Sequence, residues 1–211
     1  MPPRGKGDRP VLSREYIAVH KRRRIMDALA ELSSEQGYEE TKISDIVRRA
    51  AVARKTLYDN FSGKEEVFLA AFDAAIEEAV RRVEDACTAA EGGWEEQIEA
   101  GLAAFLGYVA EDPALARMCL IEALSATPET AKRHGNAHQH FVEMAEQAMP
   151  HSDRLPPTTA EAVVGGVERI VYRTISEDAA ERAEDLLPEL SEFVLAPYRG
   201  GGANGGTNKQ S

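Results

Sequence analysis

Apolar residues along this chain recur at three- and four-residue spacing, and no stretch alternates apolar and polar side chains for five or more positions. That period predicts helices throughout and no sheet, an all-α fold class. Ile25, Leu29 and Leu32 mark the inner face of a first helix over about 17–36, stopped by Gly37. Two short helices follow over about 42–50 and 54–60, each too short to persist without a packing platform. Ser62 and Glu65 have capping-box spacing ahead of a long helix to about residue 90, whose stripe is Phe68, Phe72, Ile76, Val80 and Val83. Past Gly92 and Gly93, helices are predicted near 94–110, 112–125, 129–149, 158–175 and 178–198, with Pro188 kinking the last or delaying its start. Residues 1–12 and 200–211 are Pro-, Gly- and polar-rich and are expected to be disordered tails.

Composition changes this picture only when divided along the chain. The 211 residues carry a net charge of -11, which taken alone argues against a nucleic-acid partner. Through Lys64, however, 14 Lys and Arg face 9 Asp and Glu, while the remainder holds 11 against 27. A basic end on an acidic body suggests a nucleic-acid module joined to a part that avoids nucleic acid. The longest uncharged apolar run covers 11 residues, 100–110, against the roughly 20 needed to cross a bilayer, so no membrane partner is expected. No signal peptide is visible, and two cysteines 32 positions apart make neither a disulfide framework nor a CxxC motif, which fits a reducing cytoplasm.

The two short helices read as a helix-turn-helix. Ile43, Ile46 and Val47 supply the buried face of the first, and Leu57 and Phe61 anchor the second. Arg54, Lys55, Thr56, Tyr58 and Asn60 are left for the outside, with Arg and Lys at the N-terminal end, where recognition helices meet base edges. Lys21, Arg22, Arg23 and Arg24 form a positive cluster suited to phosphates.

The stretch from Arg24 to Phe68, above all "GYEETKISDIV" and "TLYDNFSGKEEVF", resembles the DNA-binding domain of the TetR family of transcriptional regulators. The resemblance implies a homodimer with a helix-turn-helix domain over 13–63 and a helical regulatory and dimerisation domain over 64–199. It further implies phosphate contacts by Tyr58 and Lys64, and by the helix start around Thr41 and Lys42. Two residues depart from the family pattern. Ala51 stands where glycine is usual in the turn, and Ala53 where a capping side chain is usual, each at a cost of about 1 kcal/mol.

In the body, Trp94, Phe105, Tyr108, Met118, His138 and Phe141 are candidates to line a small-molecule cavity, although such residues at helical spacing also make ordinary core. Val163, Val167, Ile170 and Val171 stripe one helix and Leu190, Phe193 and Val194 the last, so the two are expected to pair with their copies as a four-helix dimer interface. His134 and His138 share a helix face but have no third ligand at metal spacing, so no metal is expected and a polar cavity lining is the better reading. No GxSxG, P-loop or HExxH occurs, so no catalytic residue or cofactor is expected. The sequence thus describes a ligand-responsive repressor on a palindromic operator. The alternative is a small-molecule binding or protein-interaction module that binds no operator.

Overall fold

A computed structural model describes residues 14–149 and 154–199. The tails expected at 1–12 and 200–211 lie outside the described residues. Within those described, the chain forms α1 (Arg14–Gln36), α2 (Ile43–Arg49), α3 (Arg54–Asn60), α4 (Lys64–Ala89), α5 (Trp94–Glu111), α6 (Pro113–Leu120), α7 (Pro128–Ala148), α8 (Thr159–Ser176) and α9 (Leu187–Arg199). Short 3-10 segments occur at Glu122–Leu124 and Ala180–Leu186, and no strand is present among the described residues.

The first three helices close on one core. Ile25 and Leu29 from α1, Ile46 from α2, Leu57 from α3 and Phe68 from α4 are all fully buried. Each such side chain contributes about 1.5–3 kcal/mol on burial. Since α2 and α3 have only seven residues each, this core is what keeps them helical. Tyr38, in the α1–α2 loop, packs edge-on against Phe68 with centroids 5.3 Å apart.

The turn between α2 and α3 uses alanine where glycine would be relaxed. Ala51 has φ +49°, in the left-handed region, and Ala53 caps α3 without a side-chain hydrogen bond. Arg24 compensates from α1, its guanidinium donating to the carbonyl oxygens of Ala50 and Ala51 where α2 ends. Arg22 does the same for α3, donating to the Asn60 oxygen at 2.9 Å and lying 4.1 Å over the Phe61 ring. Two members of the cluster read as phosphate contacts therefore brace the helix-turn-helix, because α1 crosses the ends of both short helices.

Three expected boundaries shift for local reasons. Helix α4 is capped by Gly63 instead of Ser62, and Glu66, not Glu65, reaches back to accept the Ser62 N–H at 2.7 Å. The helix expected over 112–125 ends at Leu120 and tightens into a 3-10 turn, since Thr127 and Thr130 cap α7 reciprocally and draw the chain into a new helix. The last helix starts late, at Leu187, which puts Pro188 in the first turn, where a missing N–H costs nothing. The segment before it is the 3-10 stretch Ala180–Leu186.

Beyond α4, helices α5 to α9 build a bundle with two further cores. One gathers Leu106, Val109, Val171, Ile175 and Leu190, and the other Met149, Val163, Val194 and Tyr198. Helices α4 and α5 approach tightly at Gly101, where a Cβ would lie 2.6 Å from Cys87 Sγ. Burial raises both thiols, Cys119 up to about 12, so neither has the thiolate character of a redox sensor. Among the described residues no helix is long and apolar enough to cross a membrane.

Candidate functional site

Helix α3 turns Leu57 inward and presents Arg54, Lys55 and Tyr58 to solvent, with Thr56 and Asn60 half-buried. Arg54 lies along its neighbour one turn on, Nη2 at 3.4 Å from Tyr58 Oη and the guanidinium 5.7 Å over the ring. Asn60 spends its amide on the Thr56 carbonyl at 2.7 Å. Lys42, at the start of α2, is exposed. Thr41 is a correction: it is 1% exposed and its hydroxyl donates to the Gly37 carbonyl at 2.8 Å, so it fastens the loop and its side chain offers nothing outward.

Lys64 occupies the first turn of α4. Its ammonium donates to the Tyr38 oxygen at 2.7 Å and the Glu39 oxygen at 3.3 Å, and sits 4.0 Å over the Tyr38 ring. Of three ammonium donors, one remains free. Burial lowers its pKa against the raising effect of Glu39 and Glu40. The residue thereby joins the α1–α2 loop to the helix that enters the body.

The body encloses a channel of about 240 Å³. It runs beside α4 from Phe72 to Cys87 and beside α7 from His134 to Met149. Either span of fifteen positions is about 22 Å long at 1.5 Å per residue. Of the candidate lining residues, Phe105, Tyr108, His138 and Phe141 meet there, the two Phe rings 6.1 Å apart. Trp94 and Met118 do not. Trp94 packs at the far end with the Met149 and Val194 core, and Met118 is wholly buried against the first helices, because α6 turns that side chain away from the channel.

Helix α6 lies between the channel and the N-terminal core. Leu115, Ala116 and Leu120 face the channel, Met118 belongs to the core of Ile25 and Leu29, and Cys119 touches both. Just after α6, Glu122 Oε2 accepts the Tyr38 N–H at 2.9 Å. A ligand that shifts α6 has a short mechanical route to the loop ahead of α2.

The candidate dimer residues are mostly consumed inside the chain. Val163, Val171, Leu190 and Val194 are buried in its own cores, Ile170 is half-buried beside them, and Val167 lines the channel. Of the seven, only Phe193 is exposed, at 41%, its ring resting over Gly166, where a Cβ would lie 2.5 Å from it. The apolar stripes were real, but a helix layer over a hollow body spends them on that body. The outward face of α8 and α9 instead carries Ala162, Arg169, Phe193 and Ala196, with Gly166 beneath the Phe193 ring.

Sequence reasoning missed Glu168 and Glu122, and read Arg24 only as part of the basic cluster. Glu168 carried a signal, an acid on an otherwise apolar face between Val164 and Val171. His134 Nε2 and His138 Nδ1 stand 2.9 and 2.6 Å from its two oxygens. Burial raises its carboxyl, but the histidine hydrogen bonds outweigh that and hold it below the ordinary value. Among the described residues no group of three or more His, Cys, Asp or Glu is placed to hold a metal.

The chain thus places a helix-turn-helix on a hollow helical body. Residues 25–71, which hold the helix-turn-helix, match the model of the bacterial regulatory proteins, tetR family. The fatty acid metabolism regulator protein of Bacillus subtilis is 33% identical over 61 residues, which make up 29% of this chain and 31% of that protein. The fatty acid degradation regulator FadR of Bacillus halodurans superposes with a TM-score of 0.76 at 19% identity, over 93% of this chain and 99% of that one. FadR of Bacillus subtilis, in complex with stearoyl-CoA, gives 0.72 at 18% identity over 83% and 98%.

Proposed function

We propose that the chain is a ligand-responsive repressor, binding a palindromic operator as a homodimer and leaving it when a molecule with one long apolar chain fills the channel. In this reading, 13–63 form the reader and 64–199 the regulatory body. The observation that carries it is the exposure of Arg54, Lys55 and Tyr58 on a helix otherwise anchored by Leu57. Arg54 and Lys55 suit guanine O6 and N7, while Tyr58, Lys42 and the free Lys64 donor suit phosphates. Thr41 acts only through the backbone of the helix start, and Thr56 and Asn60 fall at the rim of that surface.

The channel's length supports the ligand class. An all-trans chain with bonds of about 1.5 Å and angles near 111° advances about 1.25 Å per carbon, so 22 Å takes about 18 carbons. A relative of the same fold is described with stearoyl-CoA, which agrees. Occupation would press on Leu115 and Leu120, move α6, and pull Glu122 and Tyr38. The two readers would then no longer stand one DNA turn apart, about 34 Å. A ligand acts this way only by binding the released arrangement more tightly. The dimer face in this reading is the outward side of α8 and α9 around Ala162, Arg169, Phe193 and Ala196.

The test selects bound sequences from random duplexes with purified protein. Two-fold symmetric sites are expected, with affinity falling by about three to five orders of magnitude between about 50 and 200 mM salt for 6–10 phosphate contacts. A panel of dodecyl to octadecyl acids, alcohols and acyl-CoA thioesters should contain a compound that releases the DNA. Flat salt dependence would reject operator binding and leave a binding module.

A further inference from the structure

The channel is apolar along most of its length, and its polar groups gather at one end. His134 and His138 stand one turn apart on α7 and both turn to Glu168 on α8, with the 2.9 and 2.6 Å contacts given above. All three side chains line the channel and are largely withdrawn from water. This is the end nearer the DNA reader, since Arg133, next to His134, pairs with Asp73 in the first half of α4.

A carboxylate accepts hydrogen bonds and cannot donate them, so each contacted ring nitrogen carries the proton. With neutral rings, His134 Nδ1 and His138 Nε2 are then acceptors, and Glu168 keeps about two of its four lone-pair sites unused. The cluster holds one negative charge, several open acceptors and no open donor. Nothing nearby reverses this. Arg133 is committed to Asp73 and Glu129, the other acid at the channel wall is Asp112, and no Lys or Arg is found among the described lining residues.

Two ligand ends are disfavoured there. A methyl terminus would strip water from the acceptors and give nothing back. A carboxylate would place a second anion beside Glu168 with no cation to balance it. A hydroxyl fits, because it can donate to an imidazole nitrogen or to Glu168 while its chain runs along α4 and α7 toward Met149.

We propose that the His134–Glu168–His138 cluster recognises a neutral hydrogen-bond donor, and that the ligand is a long-chain molecule bearing a hydroxyl at its reader-proximal end. This rests on the reading of the channel as the ligand site. The experiment compares 1-dodecanol with dodecanoic acid, whose chains fit the channel and differ only in the end group. Each is titrated against the whole chain at about pH 8.5, and binding is read from the rise in Tm.

The alcohol should reach its half-maximal effect at a concentration at least about tenfold lower than the acid, a coupling of about 1.4 kcal/mol. Glu168→Gln, which removes the charge and adds a donor, should bring the two concentrations within about threefold of each other. His138→Phe should also cut the preference, with helicity checked by circular dichroism in both variants. An acid that binds as well as the alcohol, or a preference unchanged in both variants, would overturn the proposal and leave the channel standing. Failure of both compounds to bind would overturn the channel reading with it.

Discussion

Ala51→Gly should make this protein more stable. Ala51 holds φ +49° in the turn between α2 and α3, is exposed, and joins the fold through its backbone. Its N–H donates to the Arg48 oxygen at 3.1 Å and its own oxygen accepts from Arg24 at 3.1 Å. Removing an exposed methyl opens no cavity, so the change is conformational. An L-residue in the left-handed region costs roughly 1–2 kcal/mol. Against that, glycine gives the unfolded chain extra freedom worth about 0.4–1 kcal/mol. The difference is a net gain of about 0.5–1 kcal/mol, which in a chain of this length raises Tm by about 1–4 °C. Scanning calorimetry at fixed protein concentration reads it, and operator affinity should stay within about twofold because the turn already has the shape glycine prefers. Arg24→Met is the companion measurement, keeping the apolar stem and losing both hydrogen bonds, for a loss of about 0.5–1.5 kcal/mol. A fall in Tm for Ala51→Gly would refute the reasoning, since it would mean that the alanine side chain stabilises the turn.

Three further outcomes follow from the geometry. Glu122→Ala should leave ligand affinity unchanged but reduce the effect of the releasing compound on DNA binding by about three- to tenfold, because the part-exposed bond to Tyr38 is worth less than the roughly 1.5–3 kcal/mol of a buried charge-assisted one; full release in a DNA-binding titration would remove Glu122 from the route. Phe193→Glu should give folded monomers by light scattering, while Val171→Asp should unfold the chain by leaving a buried charge unpaired; a folded, monomeric Val171→Asp would return the interface to the inner stripe. Because the Glu168 carboxyl sits below its ordinary value, its stabilising contribution is present above about pH 4.5 and lost as pH falls through the lowered value. Chemical denaturation of wild type and Glu168→Gln should therefore differ at pH 7 and converge in acid, and a gap that widens in acid would contradict the assignment.

Much of the fold was legible because helical period is local information. Ile25, Leu29 and Leu32 had to share a face, and Leu57 had to be the anchor of a seven-residue helix. The outward residues of α3 followed from the same period, as did the strain at Ala51 once the turn was recognised. Thr41 was misread since a threonine at a helix start can point either way, and its bond to Gly37 depends on how the loop closes. Met118 and Trp94 failed for a related reason: apolar side chains look alike in a pattern whether they face a cavity or fill a core.

What the sequence alone determined was the set of helices, the basic reader and the face each helix must hide, since these depend on spacing and charge along a short stretch. Only the tertiary structure decided what each hidden face meets. It hollowed the body between α4, α7 and α8, drew Val163, Val171, Leu190 and Val194 inward, and left Phe193 exposed. It also brought Glu168 to two histidines about thirty residues away and Arg24 to the carbonyls that end α2. Such contacts join residues distant in the chain, and their energy depends on distances that periodicity does not contain.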